Sequence, residues 1–74
     1  MQIHKPAVIV FGGRSAEIDC LIRDLTALGA GIETTSSELA VPVLFELTLD
    51  HGRTYRKCRL VWQRDERLGA EFLS

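Results

Sequence analysis

Long apolar runs, cysteine, histidine and aromatic residues are all scarce in this sequence, and each shortage removes a class of protein. No apolar stretch approaches the ~20 residues that span a bilayer. The run "AVIVFGG" is short and ends in glycines. No basic region, long apolar core and small-residue cleavage site open the chain, so a cytoplasmic protein is expected, without membrane contact. The cysteines are Cys20 and Cys58 and the histidines His4 and His51, with no Cys-x-x-Cys pair. A structural zinc site needs more ligands than that. The thiols are expected to be reduced and buried as small hydrophobes. Aromatics are only 7% of residues. Beyond Tyr55 they offer few stacking platforms for a single strand, so nucleic acid is an unlikely partner.

Catalytic constellations are missing too. No serine, cysteine or carboxylate pair has a histidine at a recognisable spacing, and no glycine-rich phosphate loop leads into a helix. The 74 residues are read as one domain, 1–74. A chain of this size buries only roughly 60% of its unfolded surface, which leaves little room for a deep cleft. A binding module without a cofactor is expected, not an enzyme.

Period-2 alternation is what the sequence does have. "AEIDCLIR" sends Ala16, Ile18, Cys20 and Ile22 to one face and Glu17, Asp19, Leu21 and Arg23 to the other. Ile18, Leu21, Ile22 and Leu25 also fit a helical spacing, but the clean alternation favours a strand. "VLFELTLD" sends Val43, Phe45, Leu47 and Leu49 one way, and "TYRKCRLVW" puts Cys58, Leu60 and Trp62 on a common face. Trp62 is therefore expected in the core, with stacking at a barrel mouth as the alternative.

Gly12-Gly13 and His51-Gly52 stand where tight hairpins need positive φ. A two-residue turn at His51-Gly52 sets Asp50 opposite Arg53, Glu46 opposite Lys57 and Phe45 opposite Cys58. That single register matches charges outside and apolar residues inside. Residues 33–40 read as a strand end and surface loop leading to Pro42. Six strands result, near 6–11, 15–24, 29–35, 42–50, 53–63 and 67–73. So short a sheet hides its edges by closing. The fold class expected is all-β, a small six-stranded antiparallel barrel.

Charge is uneven along the chain. Between Ser15 and Asp50 seven acids face one base, Arg23; between Arg53 and Arg67 six bases face Asp65 and Glu66. Cross-strand pairing of the two halves is expected, and a basic stripe for a phosphate-bearing partner is the alternative.

"RDLTALGAG" joins the second and third strands. Asp24 and Thr26, two apart, project the same way in an extended segment. An ionised Asp24 only accepts hydrogen bonds, which suits the N1–H and N2–H₂ edge of a guanine; Thr26 accepts and donates. Gly29 permits close approach to the backbone. The alternative is a hydroxyl turn capping its own backbone.

Asp24, Thr26 and Gly29 resemble the Asp/Asn-x-Ser-x-x-Gly motif of the PilZ domain family, with threonine in the serine position. "CLIRDLTALGAGIE" is similar to that family's strand–motif–strand core. "CRLVWQRDERLGAEF" is similar to its closing pair, a tryptophan-ended strand followed by Gly-x-x-Phe. The likeness spans about residues 7 to 73. It implies a PilZ-like split barrel, a bacterial signalling module that binds the second messenger cyclic di-GMP through Asp24, Thr26 and Gly29, with Arg23 beside them. The family's Arg-x-x-x-Arg signature, whose guanidiniums clamp the phosphates, has no counterpart here, since no arginine precedes Arg14. That departure supports the alternative of a degenerate adaptor that binds a protein partner without nucleotide.

Overall fold

A computed structural model of the chain describes residues 2–34 and 41–73. Six strands, β1 (Gln2–Phe11), β2 (Ala16–Leu25), β3 (Gly29–Thr34), β4 (Leu44–Thr48), β5 (Arg56–Arg64) and β6 (Arg67–Phe72), form a closed antiparallel barrel in the order β1-β2-β3-β6-β5-β4. It is two three-stranded meanders joined twice. β3 pairs with β6 along Gly29–Glu33, and β1 pairs with β4 along Val8–Val10. Closure gives every strand two neighbours over part of its length. No helix among the described residues is long and apolar enough to cross a membrane.

Alternation fixes which side chains fill the interior. Ile9, Ile18, Ile22, Ile32, Leu47 and Leu68 are all but fully buried, together with Phe45, Cys20 and Cys58. Removing one such aliphatic side chain from water contributes roughly 1.5–3 kcal/mol. Both cysteines are free and buried, as expected. Burial pushes the Cys20 thiol up to about 12 and the Cys58 thiol up to about 11.

The His51-Gly52 hairpin has the register read from the sequence. Phe45 lies opposite Cys58 and Glu46 opposite Lys57, while His51 (φ 59°) and Gly52 (φ 86°) form the turn. The ladder stops at Leu47 and Arg56, because the loop between satisfies itself. The Asp50 carboxylate accepts from the Thr54 amide (2.9 Å) and the Thr48 hydroxyl (3.0 Å), and does not pair with Arg53. These bonds, the Thr54 amide first, hold the Asp50 carboxyl below its ordinary value.

In the first hairpin the two-residue turn falls on Gly13-Arg14, one place beyond the glycine pair. It is closed by the Ser15 amide to the Gly12 carbonyl at 3.3 Å. β1 starts at Gln2, ahead of the start expected near residue 6, and so includes Pro6. Proline is tolerated there because β4 reaches only Val8–Val10 on that side of β1. The expected surface loop after Thr34 falls on residues 35–40, outside the described residues.

Two expectations are corrected. Val43 is 62% exposed, since it lies in the bend before β4 rather than in the alternating run. Trp62 is 50% exposed and not in the core. The reason is a β-bulge: Leu60 pairs with Ala70 but Trp62 pairs with Gly69, so Val61 is the extra residue. One inserted residue reverses the facing of every later residue in the strand. The expected pairing of the two halves is met in part. Arg67 lies 3.9 Å from Glu33 across β3 and β6, but Glu46 opposes Lys57 along the ladder and bonds Arg14 (3.3 Å), Glu33 also bonds Arg23 (2.7 Å), and Arg59 bonds Glu71 (2.7 Å).

Candidate functional site

A second bulge places the residues singled out in "RDLTALGAG". Ile22 pairs with Ile32, but Asp24 pairs with Gly31, so Arg23 is the extra residue in β2. In an unbroken ladder Asp24 would face inward with Ile22. The bulge instead leaves it exposed on the outer surface, and Leu25 returns to the core. Among the described residues the Asp24 carboxylate has no hydrogen bond or ion pair.

The two bulges lie on one row of the sheet. Asp24 on β2 opposes Gly31 on β3, Gly31 opposes Gly69 on β6, and Gly69 opposes Trp62 on β5. A carboxylate and an indole therefore stand at the two ends of a floor made of two glycines. Three strand spacings of ~4.8 Å separate their backbones. A Cβ on Gly31 would lie 3.1 Å from the Asp24 Oδ2. A Cβ on Gly69 would lie 2.7 Å from the indole Cε2. The indole thus packs over Gly69 and the carboxylate beside Gly31, in the space that side chains there would need.

Above this floor lies an open cleft of about 550 Å³, lined also by Thr26, Leu28, Gly29, Val61 and Phe72. That volume is within the ~300–1,000 Å³ of small-molecule sites. Charged side chains border it on both sides. Arg23, Glu33 and Arg67 form one rail (Arg67 to Glu33 3.9 Å), and Arg59 with Glu71 forms the other.

Of the four residues expected at the site, Asp24, Thr26 and Gly29 line this cleft, and Arg23 stands beside Asp24 on the neighbouring rail. Thr26 and Gly29 close the β2–β3 turn. The Thr26 hydroxyl accepts from the amides of Leu28 and Gly29 at 3.2 Å each, and the Thr26 amide donates to the Gly29 carbonyl at 2.9 Å. Its first task is thus the turn. Gly29 packs so tightly on β6 that an added Cβ would overlap the Ala70 carbonyl oxygen.

Sequence reasoning missed Gly31 and Gly69 as site residues and His4 and Arg67 near Asp24, and held the outward Trp62 only as the alternative. The alternate glycines of "GAG" carried a signal, since residues 29 and 31 share one strand face. A comparison with known proteins gives no match to this chain, whether among family models, curated proteins or solved structures.

Proposed function

We propose that this barrel is a PilZ-like signalling module that binds cyclic di-GMP on its outer face, over the Gly31–Gly69 floor. The observation that carries the reading is the unpaired, exposed Asp24 carboxylate at one end of that floor, with the exposed Trp62 at the other. A guanine in the cleft between Trp62 and Asp24 presents its N1–H and N2–H₂ donors to the Asp24 carboxylate. The indole supplies a π-face for stacking. Gly29 and Thr26 hold the turn that positions Asp24.

A second reading is a protein-binding adaptor, favoured by one observation. Leu28 (80% exposed), Val61 (57%) and Trp62 surround the same cleft with apolar surface.

Calorimetry with cyclic di-GMP separates the two readings. Nucleotide binding gives saturable heat, and Asp24→Ala weakens it roughly ten- to hundredfold, the worth of a charge-assisted hydrogen bond of about 1.5–3 kcal/mol. No heat at protein concentrations near ~100 μM, where a dissociation constant in that range registers, rejects the nucleotide and leaves the adaptor.

A further inference from the structure

We propose that the end of the barrel between β1, β2 and the β4–β5 loop binds a small alkyl carboxylate. Its apolar tail enters the barrel mouth and its head meets Lys5 and Arg56. The cavity there measures about 370 Å³, and barrel mouths are a common place for small-molecule sites of ~300–1,000 Å³. This mouth is distinct from the outer cleft. Of the residues that line it, Phe72 also borders the cleft, whereas Leu25 and Leu49 do not.

Two cations stand where alternation puts core residues. On β1, Lys5 shares a face with Ala7 and Ile9 and lies opposite the fully buried Ile22. On β5, Arg56 shares a face with Cys58 and lies opposite the fully buried Leu47. Each is near the open end of its strand, so its apolar stem follows the wall and its charge reaches the rim. The Arg56 guanidinium lies 3.9 Å from the centre of the Phe72 ring, at the edge of a wall made by Leu25, Leu49 and Phe72. Lys5 has no ion pair among the described residues. Asp50 is the acid on the lining, and its Oδ1 accepts from the Thr48 hydroxyl and the Thr54 amide. Two cations against one carboxylate leave a single positive charge in excess, which favours a monoanion over a cation. Leucine and phenylalanine walls favour an alkyl tail over a sugar. A fatty carboxylate of moderate length meets both demands.

The test titrates octanoate, hexanoate and octanol into the full chain with labelled side chains, and into Lys5→Gln and Arg64→Gln. Lys5 is exposed, so its replacement leaves the core intact; Arg64, exposed at the far end of β5, controls for loss of one charge. Octanoate is expected to shift the Leu25 and Leu49 methyl signals to saturation. Each buried methylene adds roughly fourfold, so hexanoate binds roughly fifteenfold more weakly. Lys5→Gln weakens octanoate roughly three- to tenfold and leaves octanol unchanged, while Arg64→Gln changes neither. The site is overturned if no saturable shift appears at either leucine by about 5 mM octanoate, the weak end expected of so small a ligand. It is also overturned if octanol binds as tightly as octanoate, or if the two variants weaken octanoate alike. Shifts at Leu28 and Trp62 with none at Leu25 and Leu49 put the chain in the outer cleft and overturn it too. Cyclic di-GMP that fails to bind ends the nucleotide reading and leaves the mouth site standing, because Leu25 and Leu49 report on the mouth alone.

Discussion

The pyrrole side of the Trp62 indole occupies the space that a side chain on Gly69 would take, directly across the β5–β6 ladder. This pairing explains why a tryptophan sits on the outer surface of so small a barrel. It also makes the two glycine positions of β3 and β6 respond differently to substitution.

Gly69→Ala pushes on a half-exposed ring that can swing into solvent, so stability falls by about 1 kcal/mol or less. Tryptophan emission moves to longer wavelength. Gly29→Ala pushes on the Ala70 carbonyl, a backbone atom inside the β3–β6 pairing that cannot yield. Overpacking there costs about 1–3 kcal/mol or more. Urea unfolding of the two variants checks the order; equal losses would mean the ring does not fill the space over Gly69.

How far the sequence foretold this fold differs from residue to residue. Alternation was enough for the strands, and one turn, His51-Gly52, set the β4–β5 register through Phe45 and Cys58. The same alternation failed at Trp62, because a bulge at Val61 adds one residue without leaving a composition mark. The bulge at Arg23 is equally unmarked, and alternation alone would turn Asp24 inward with Ile22. Arg23 and Arg67 are 44 residues apart in the sequence, and only the β2-β3-β6 order brings them to a common Glu33. Long-range strand order is not written in local pattern.

Arg14 holds a left-handed φ of 69° in the first turn, a conformation that favours glycine. It keeps that place because its guanidinium bonds Glu46 and lies 3.7 Å from the centre of the Tyr55 ring. Arg14→Ala loses both contacts and keeps the strain, whereas Arg14→Gly loses the contacts and relieves it. Thermal unfolding is expected to rank Arg14→Ala below Arg14→Gly; the reverse order would show that the turn is unstrained.

The two thiols are pushed to about 12 and 11 by burial, so neither is a thiolate at neutral pH. A disulfide-exchange reagent should leave both unmodified in the folded chain and react with both in denaturant. Each folded pKa lies above its unfolded value, so the stabilising effect is fully present below about pH 8.5 and is lost as pH rises toward 11–12. Denaturant midpoints should fall over that window, and a Cys20→Ser, Cys58→Ala variant should show a shallower fall. A parent midpoint that holds steady from about pH 8 to 11 would contradict the burial of both sulfurs.

Trp62 is the only tryptophan, so its indole N–H gives a single resolved signal in a nitrogen-correlated NMR spectrum. Cyclic di-GMP added stepwise is expected to move that signal together with the amides of residues 24–31 and 68–71, all saturating at one ligand concentration. Shifts confined to the opposite wall, where Val8–Val10 meets Glu46–Thr48, or no shift at Trp62 and Asp24, would contradict binding on the glycine floor.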